Sequence, residues 1–262
     1  MTRITLLNYA DDNFRSAQRK NSRSGSEVGG FDRVVSYGPG DIEPTFRARC
    51  HSILRHPRGG GYWLWKPYFI ARTLDAMPDG EWLFYCDSGS YFLRTVRPFI
   101  RDAERRGLEV VCFETQHPEE EYTRRALLDA LDANRPEITH TRQRLGGFSI
   151  WRAGPDARRL ARRWLEICCD PALLLDGAAS DPSEATGFRE HRHDQSAFSV
   201  ITKLAGIEAH RDPSQFGNRA KGAYGNSPYA QLIQLTRQRD IPLVKRVRRR
   251  LRRFLQYLGI KE

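Results

Sequence analysis

Asp87 ends a short apolar run, Trp82-Leu83-Phe84-Tyr85-Cys86, and is followed at once by Ser88, Gly89 and Ser90. An acid at the carboxyl end of a buried strand stands where α/β proteins bind ligands, because the binding crevice lies outside the strand ends. The small residues beside it leave the backbone accessible. Such a carboxylate suits coordination of Mn2+ or Mg2+ carrying a diphosphate, and the ion would stabilise charge on a leaving phosphate. Asp-Ser-Gly equally suits a plain turn closed by local hydrogen bonds. Just upstream, Gly61-Tyr62-Trp63-Leu64-Trp65-Lys66-Pro67 gathers two indoles and one ammonium. Lys66 at a helix start can meet phosphate by its own charge and by the helix N-terminus. Aromatic faces beside it can stack on a base or a sugar, whereas strand-like alternation would turn one indole to the core. The expectation is one Trp in the core and one at the site.

Two further clusters carry chemistry. Gly146-Gly147-Phe148-Ser149 is a place where backbone can approach a ligand closely. His193-Asp194-Gln195, at a helix start, offers a metal ligand or general base together with an amide for sugar hydroxyls. Helix capping alone would also account for an acid at position 194. His191 is expected to face solvent. Asp11 and Asp12, in a polar loop after the first strand, can reach a ribose or a base, or simply be solvated.

The elements that must position these groups alternate. Strands are expected over 4–7, 31–37, 82–86, 108–113 and 146–151, and helices over 44–54, 67–77, 97–106, 119–133, 155–169 and 194–204. Pro67 suits the first turn of its helix. Residues 20–30 are turn-rich and expected to be mobile, and 176–190 reads as a flexible loop over one face. Strands alternating with helices predict one α/β domain with a mostly parallel sheet. That domain is taken as 1–240, with 241–262 as an appended element.

Composition sets limits. The chain has 262 residues, of which 39% are hydrophobic and 11% aromatic, enough for a packed core. It has no apolar run of about 18 residues, the length needed to cross a bilayer. Its first residues turn polar too early for a signal peptide, and five cysteines without a CxxC pair point to a reducing compartment, so a cytoplasmic location is expected. The net charge is +11, yet residues 243–262 alone hold eight Lys or Arg against one Glu. Val244, Val247, Leu251, Phe254, Leu255 and Leu258 fall at helical three-and-four spacing. The expected C-terminal basic amphipathic helix suits an anionic membrane surface. Packing of its stripe on the domain, or binding of nucleic acid or an acidic polysaccharide, would use the same residues.

Taken in order, these motifs resemble those of GT-A glycosyltransferases, which bind a nucleotide-sugar on a Rossmann-like sheet. They are also similar to those of a group of bacterial proteins with Tyr-Trp-x-Trp-Lys-Pro, Asp-x-Gly and His-Asp-Gln-Ser, spanning about residues 1–218. The resemblance implies a GT-A-like, Rossmann-type domain that moves a sugar from a nucleotide-sugar donor to a glycan or glycolipid acceptor of the cell envelope. It implies that Asp87, Lys66 and Trp65 meet the donor, and that Asn8, Tyr9 and Asp12 line a nucleoside pocket. Gly147, Phe148 and Ser149 would shape the sugar or acceptor pocket. Asp194 and Gln195 would contact the transferred sugar, with Asp194 also able to act as a base. The class motif is Asp-x-Asp, and here Gly89 replaces the second acid. A Mn2+ or Mg2+ ion would then rest on Asp87 and a distant ligand, His193 or Asp194, or the diphosphate would be met by Lys66 and arginines without a metal. The alternative function is a nucleic-acid-binding, or nucleic-acid-glycosylating, protein acting through its tail.

Overall fold

The computed structural model describes residues 2–177, 181–218, 224–236 and 239–240. Strands β1 (Ile4–Tyr9), β2 (Arg33–Tyr37), β3 (Trp82–Cys86), β5 (Val110–Pro118), β6 (Arg142–Arg152) and β7 (Ala209–Arg211) form the central sheet, in the order β2-β1-β3-β6-β5-β7. β4 (Ser90–Phe92) and β8 (Ile233–Leu235) make a separate antiparallel pair. β1 runs parallel to β2 and β3, and β5 parallel to β7, while β6 is antiparallel to both its neighbours. Within the described sheet only β6 opposes the rest. The fold is mixed α/β with a mostly parallel sheet, as expected.

Every residue of β1 and β3 is buried, the pattern of strands covered on both faces. Alternation sorts their side chains. Leu83 and Tyr85 of β3 face a core shared with helices Trp65–Asp75, Pro155–Cys168 and Asp194–Leu204. Trp82, Phe84 and Cys86 face the opposite core, against helix Arg97–Arg105 and Phe92 and Ile233. Helix Pro155–Cys168 shows why it lies where it does: Ala157, Ala161, Trp164, Ile167 and Cys168 are buried along one stripe, and arginines fill the other side. Each large apolar side chain so covered stabilises the fold by about 1.5–3 kcal/mol. Asp87 follows Tyr85 by two residues, so it emerges on the face carrying the three helices.

Three expectations are corrected. Residues 20–30 form the end of helix Arg15–Ser24 and a π-helical turn, Gly25–Gly29, not a mobile loop. Their glycines serve close packing, since a Cβ at Gly25 would come within 2.4 Å of Leu6 and one at Gly29 within 2.7 Å of Phe31. The helix expected over 119–133 is broken into Glu119–Tyr122 and Arg125–Ala130 by extended backbone at Thr123 and Arg124. The break accompanies the complete burial of Glu119, paired with Lys203 at 2.6 Å. His191 is buried rather than exposed. The expected helix over 241–262 lies outside the described residues.

Candidate functional site

Lys66 sits in the first turn of helix Trp65–Asp75, and Asp194 is the first residue of helix Asp194–Leu204. The two helices bring opposite charges together at the carboxyl end of β3. The Lys66 Nζ lies 2.8 Å from Asp194 Oδ2 and 3.7 Å from Asp87 Oδ1, and it donates a 3.0 Å hydrogen bond to the Gly146 carbonyl. The Lys66 and Asp194 side chains are 5% and 4% exposed, while Asp87 is 38% exposed. Asp87 is therefore the member of the trio that a ligand can reach. The Tyr85 hydroxyl donates to Asp87 Oδ1 at 2.5 Å, leaving Oδ2 for other partners.

Burial pushes the Asp194 carboxyl up to about 6, with Lys66 opposing that rise and Asp87 adding to it. Burial pulls the Lys66 ammonium down, but Asp194 and Asp87 outweigh it and hold it above its ordinary value. Tyr85 is driven well above the usual phenol range by burial and then by Asp87, so it stays a proton donor. With all three groups ionised, two carboxylates face one ammonium and the trio carries a net negative charge. Sugar hydroxyls, as donors, complement such a centre; a bare diphosphate does not.

Glycines make room for this arrangement. The Gly147 carbonyl accepts the Asp87 N–H at 2.9 Å, and a Cβ at Gly147 would come within 3.2 Å of Asp87 Oδ2. A Cβ at Gly146 would come within 2.9 Å of Gln195 Cβ. Gln195 uses that closeness: its Oε1 accepts the Gly146 N–H at 3.0 Å. Asp194 and Gln195, consecutive in the chain, thus hold the two peptide groups that flank Gly146, Gln195 through the Gly146 N–H and Asp194, by way of Lys66, through the Gly146 carbonyl.

The aromatic segment forms a wall beside this centre. Gly59, Gly60, Gly61, Tyr62 and Trp63 all have positive φ, from 49° to 93°, making a short left-handed turn. Non-glycine residues lose about 1–2 kcal/mol each in that conformation. His193 also has a positive φ, 52°, and its ring packs on both Tyr62 and Trp63, at 4.7 and 5.7 Å between centroids. Three strained residues therefore meet next to Asp194, a clustering common at functional sites. Trp65 stacks on Tyr9 at 3.8 Å and donates its indole N–H to the Gly59 carbonyl. Trp65 is buried, whereas Trp63 is half-buried against the His193 ring.

The sequence-predicted residues thus divide. Lys66, Asp87, Gly147, Asp194 and Gln195 converge, and Trp65 with Tyr9 flanks them. Asn8 is fully buried and donates to Asn21 and Ser22. Phe148 is in the core, and Ser149 is buried with its Oγ accepting from the Trp151 indole. Asp12 is solvent-exposed and paired with Arg15. His193 Nδ1 is 2.8 Å from the Leu174 carbonyl and its Nε2 3.8 Å from Asp176, so neither ring nitrogen is aimed at the trio. Among the described residues no three His, Cys, Asp or Glu side chains converge as a metal-binding group. The described residues therefore do not build a metal cage of their own; within the trio, Asp87 is exposed enough to be shared with an incoming ion. Tyr85 was missed by sequence reasoning, although its i, i+2 spacing from Asp87 on a strand was the available signal.

No protein-family model matches the chain, and no curated protein matches its sequence. Two solved structures align with the chain. Mouse xyloside xylosyltransferase 1 aligns over 89% of this chain and 97% of its own, at 10% identity and a TM-score of 0.49. The bifunctional glycosyltransferase WbbM aligns over 76% of this chain and 37% of its own, at 9% identity and a TM-score of 0.43. At these identities no activity is carried across.

Proposed function

We propose that the chain is a glycosyltransferase that moves a sugar from a nucleoside-diphosphate sugar to a hydroxyl of a cell-envelope glycan or glycolipid. The observation that carries this reading is the Lys66–Asp87–Asp194 centre, half-open at the carboxyl end of β3 beside Gly147. Asp87 takes the contact role, accepting hydrogen bonds from hydroxyls of the transferred sugar. Lys66 and Asp194 fix its position and charge from below, and Gln195 holds the adjoining backbone. Asp87 would also be the protein ligand of a Mn2+ or Mg2+ ion arriving with the diphosphate, whose chemistry would be to stabilise charge on the departing group.

The sequence spacing of residues 244–258 supports a second part of the proposal, contact with an anionic membrane surface from the cytoplasmic side. Vesicle co-sedimentation tests that part: binding should need anionic lipid and should be lost on deleting 243–262. No helix among the described residues is long and apolar enough to cross a membrane.

A thermal-shift screen over nucleoside diphosphates and their sugars, with and without Mn2+, tests the main reading. At least one should raise the melting temperature, and Asp87→Ala should remove the shift. A flat response across the whole panel would end the proposal.

A further inference from the structure

Behind Gln195 lies a second buried polar group that the sequence did not single out. Gln143, on β6, is fully buried. Its Nε2 is 3.2 Å from Glu119 Oε1, 3.2 Å from the Tyr122 carbonyl, 3.1 Å from Thr123 Oγ1 and 3.3 Å from Ser196 Oγ. A carboxylate oxygen and a carbonyl oxygen can only accept, so the nitrogen end of this amide must face them. Its oxygen end is thereby turned the other way, where it accepts the Gln195 Nε2 at 2.6 Å. That contact fixes the second amide in turn, leaving Gln195 Oε1 to receive the Gly146 N–H at 3.0 Å. The Gly146 carbonyl completes the path by accepting from Lys66 Nζ at 3.0 Å.

The start of this path is itself firmly held. Glu119 is fully buried and takes Lys203 Nζ at 2.6 Å, Thr123 Oγ1 at 2.5 Å and the Ser199 hydroxyl. Buried polar networks are costly when partly satisfied and rigid when satisfied. This one runs from the Glu119–Lys203 pair to the backbone beside Asp87.

We propose that Gln143 is a positioning residue for the site: oriented by Glu119, it sets the direction of the Gln195 amide and so the placement of the Gly146–Gly147 backbone against which Asp87 rests. This inference builds on the reading of Asp87 as the ligand contact, but its first test does not depend on any ligand.

The experiment follows the Gly146 amide of the full-length chain by NMR with selectively 15N-labelled glycine. Gln143→Leu should speed hydrogen exchange at Gly146 by about tenfold or more, the loss of roughly one buried hydrogen bond. Thr123→Val touches the same Glu119 and Gln143 but not Gln195, so it should lower the melting temperature without freeing Gly146 selectively. Gln143→Leu combined with Gln195→Leu should free Gly146 no more than either change alone. Should Gln143→Leu fail to fold, Gln143→Asn, which keeps polarity but shortens the reach to Gln195, takes its place. Equal effects of the Thr123 and Gln143 changes at Gly146, or additive effects of the two Gln changes, would overturn the relay. A second arm measures binding of the nucleoside-diphosphate sugar that gives the largest shift in the thermal screen. If the wild type binds and Gln143→Leu weakens binding by about tenfold, the relay serves the site. Binding unchanged in a variant whose Gly146 is freed would overturn the role at the site. A wild type that binds no nucleoside-diphosphate sugar of the panel would count against the glycosyltransferase reading, leaving the exchange result to decide the relay.

Discussion

The Lys66 ammonium lies 2.8 Å from the Asp194 carboxylate, and both side chains are almost wholly withdrawn from solvent. A lysine in a helix's first turn would ordinarily be free to meet an anion there. Here its charge is engaged by the protein itself, and it acts on any ligand through Asp87. The chemistry of the site passes to an acid whose position two buried groups control.

That dependence makes Lys66 more important to folding than a surface cation. Lys66→Met should cost about 3–5 kcal/mol, because Asp194 is left buried without its counter-charge. Replacing both partners, as in Lys66→Met with Asp194→Leu, should recover much of that loss, since desolvation of neither charge is then required. Denaturant titration of the two single variants and the double variant measures this directly. Additive losses would show that the two groups do not act as a pair.

Gly147 should prove intolerant for steric reasons. A Cβ there would stand 3.2 Å from Asp87 Oδ2, so Gly147→Ala must push the carboxylate aside. The expected cost to stability is modest, about 1 kcal/mol, while binding at Asp87 falls more steeply. Gly146→Ala should be worse for folding, by about 1–3 kcal/mol, because its clash is with the Cβ of Gln195 on a packed helix. Melting curves beside ligand titrations separate the two effects.

His191 predicts part of the acid response. Its Nε2 faces the Leu173 carbonyl and its Nδ1 accepts the Arg124 N–H, so the folded protein holds a neutral ring. Burial, with help from His193, pulls its pKa down to about 3. A depressed histidine contributes stability that is present above the unfolded value near 6.5 and is lost as pH falls toward 3. His191→Gln, which keeps one donor and one acceptor, should flatten the loss of stability between those values. Unfolding free energies of the two proteins at several pH values check it, and identical slopes would contradict it.

The sequence made the strand ends legible and left the side-chain partnerships hidden. β3 and Asp87 could be read because an apolar run followed by an acid and small residues has one natural place in an α/β sheet. Lys66, Asp194 and Gln195 were visible as individual candidates, but their mutual contact depends on two helices packing on the same face, which no local pattern states. Gln143 and Glu119 carried no signal, since a buried amide and a buried acid look like surface residues in sequence. Residues 20–30 misled for the opposite reason: the glycines that suggest a loop are there to let Leu6 and Phe31 approach. Asn8, Phe148 and Ser149 stood near the right strand ends but project into the interior.

Asp87 is proposed as the reactive-site contact of a nucleotide-sugar enzyme. Release of nucleoside diphosphate from a panel of nucleotide-sugars, with and without Mn2+, tests it most directly when wild type and Asp87→Asn are compared at equal folded concentration. The wild type should release it from at least one donor, and Asp87→Asn should slow that release by about a hundredfold, the scale of losing one group at a reacting centre. Release at an unchanged rate in Asp87→Asn, or from no donor by the wild type, would contradict it.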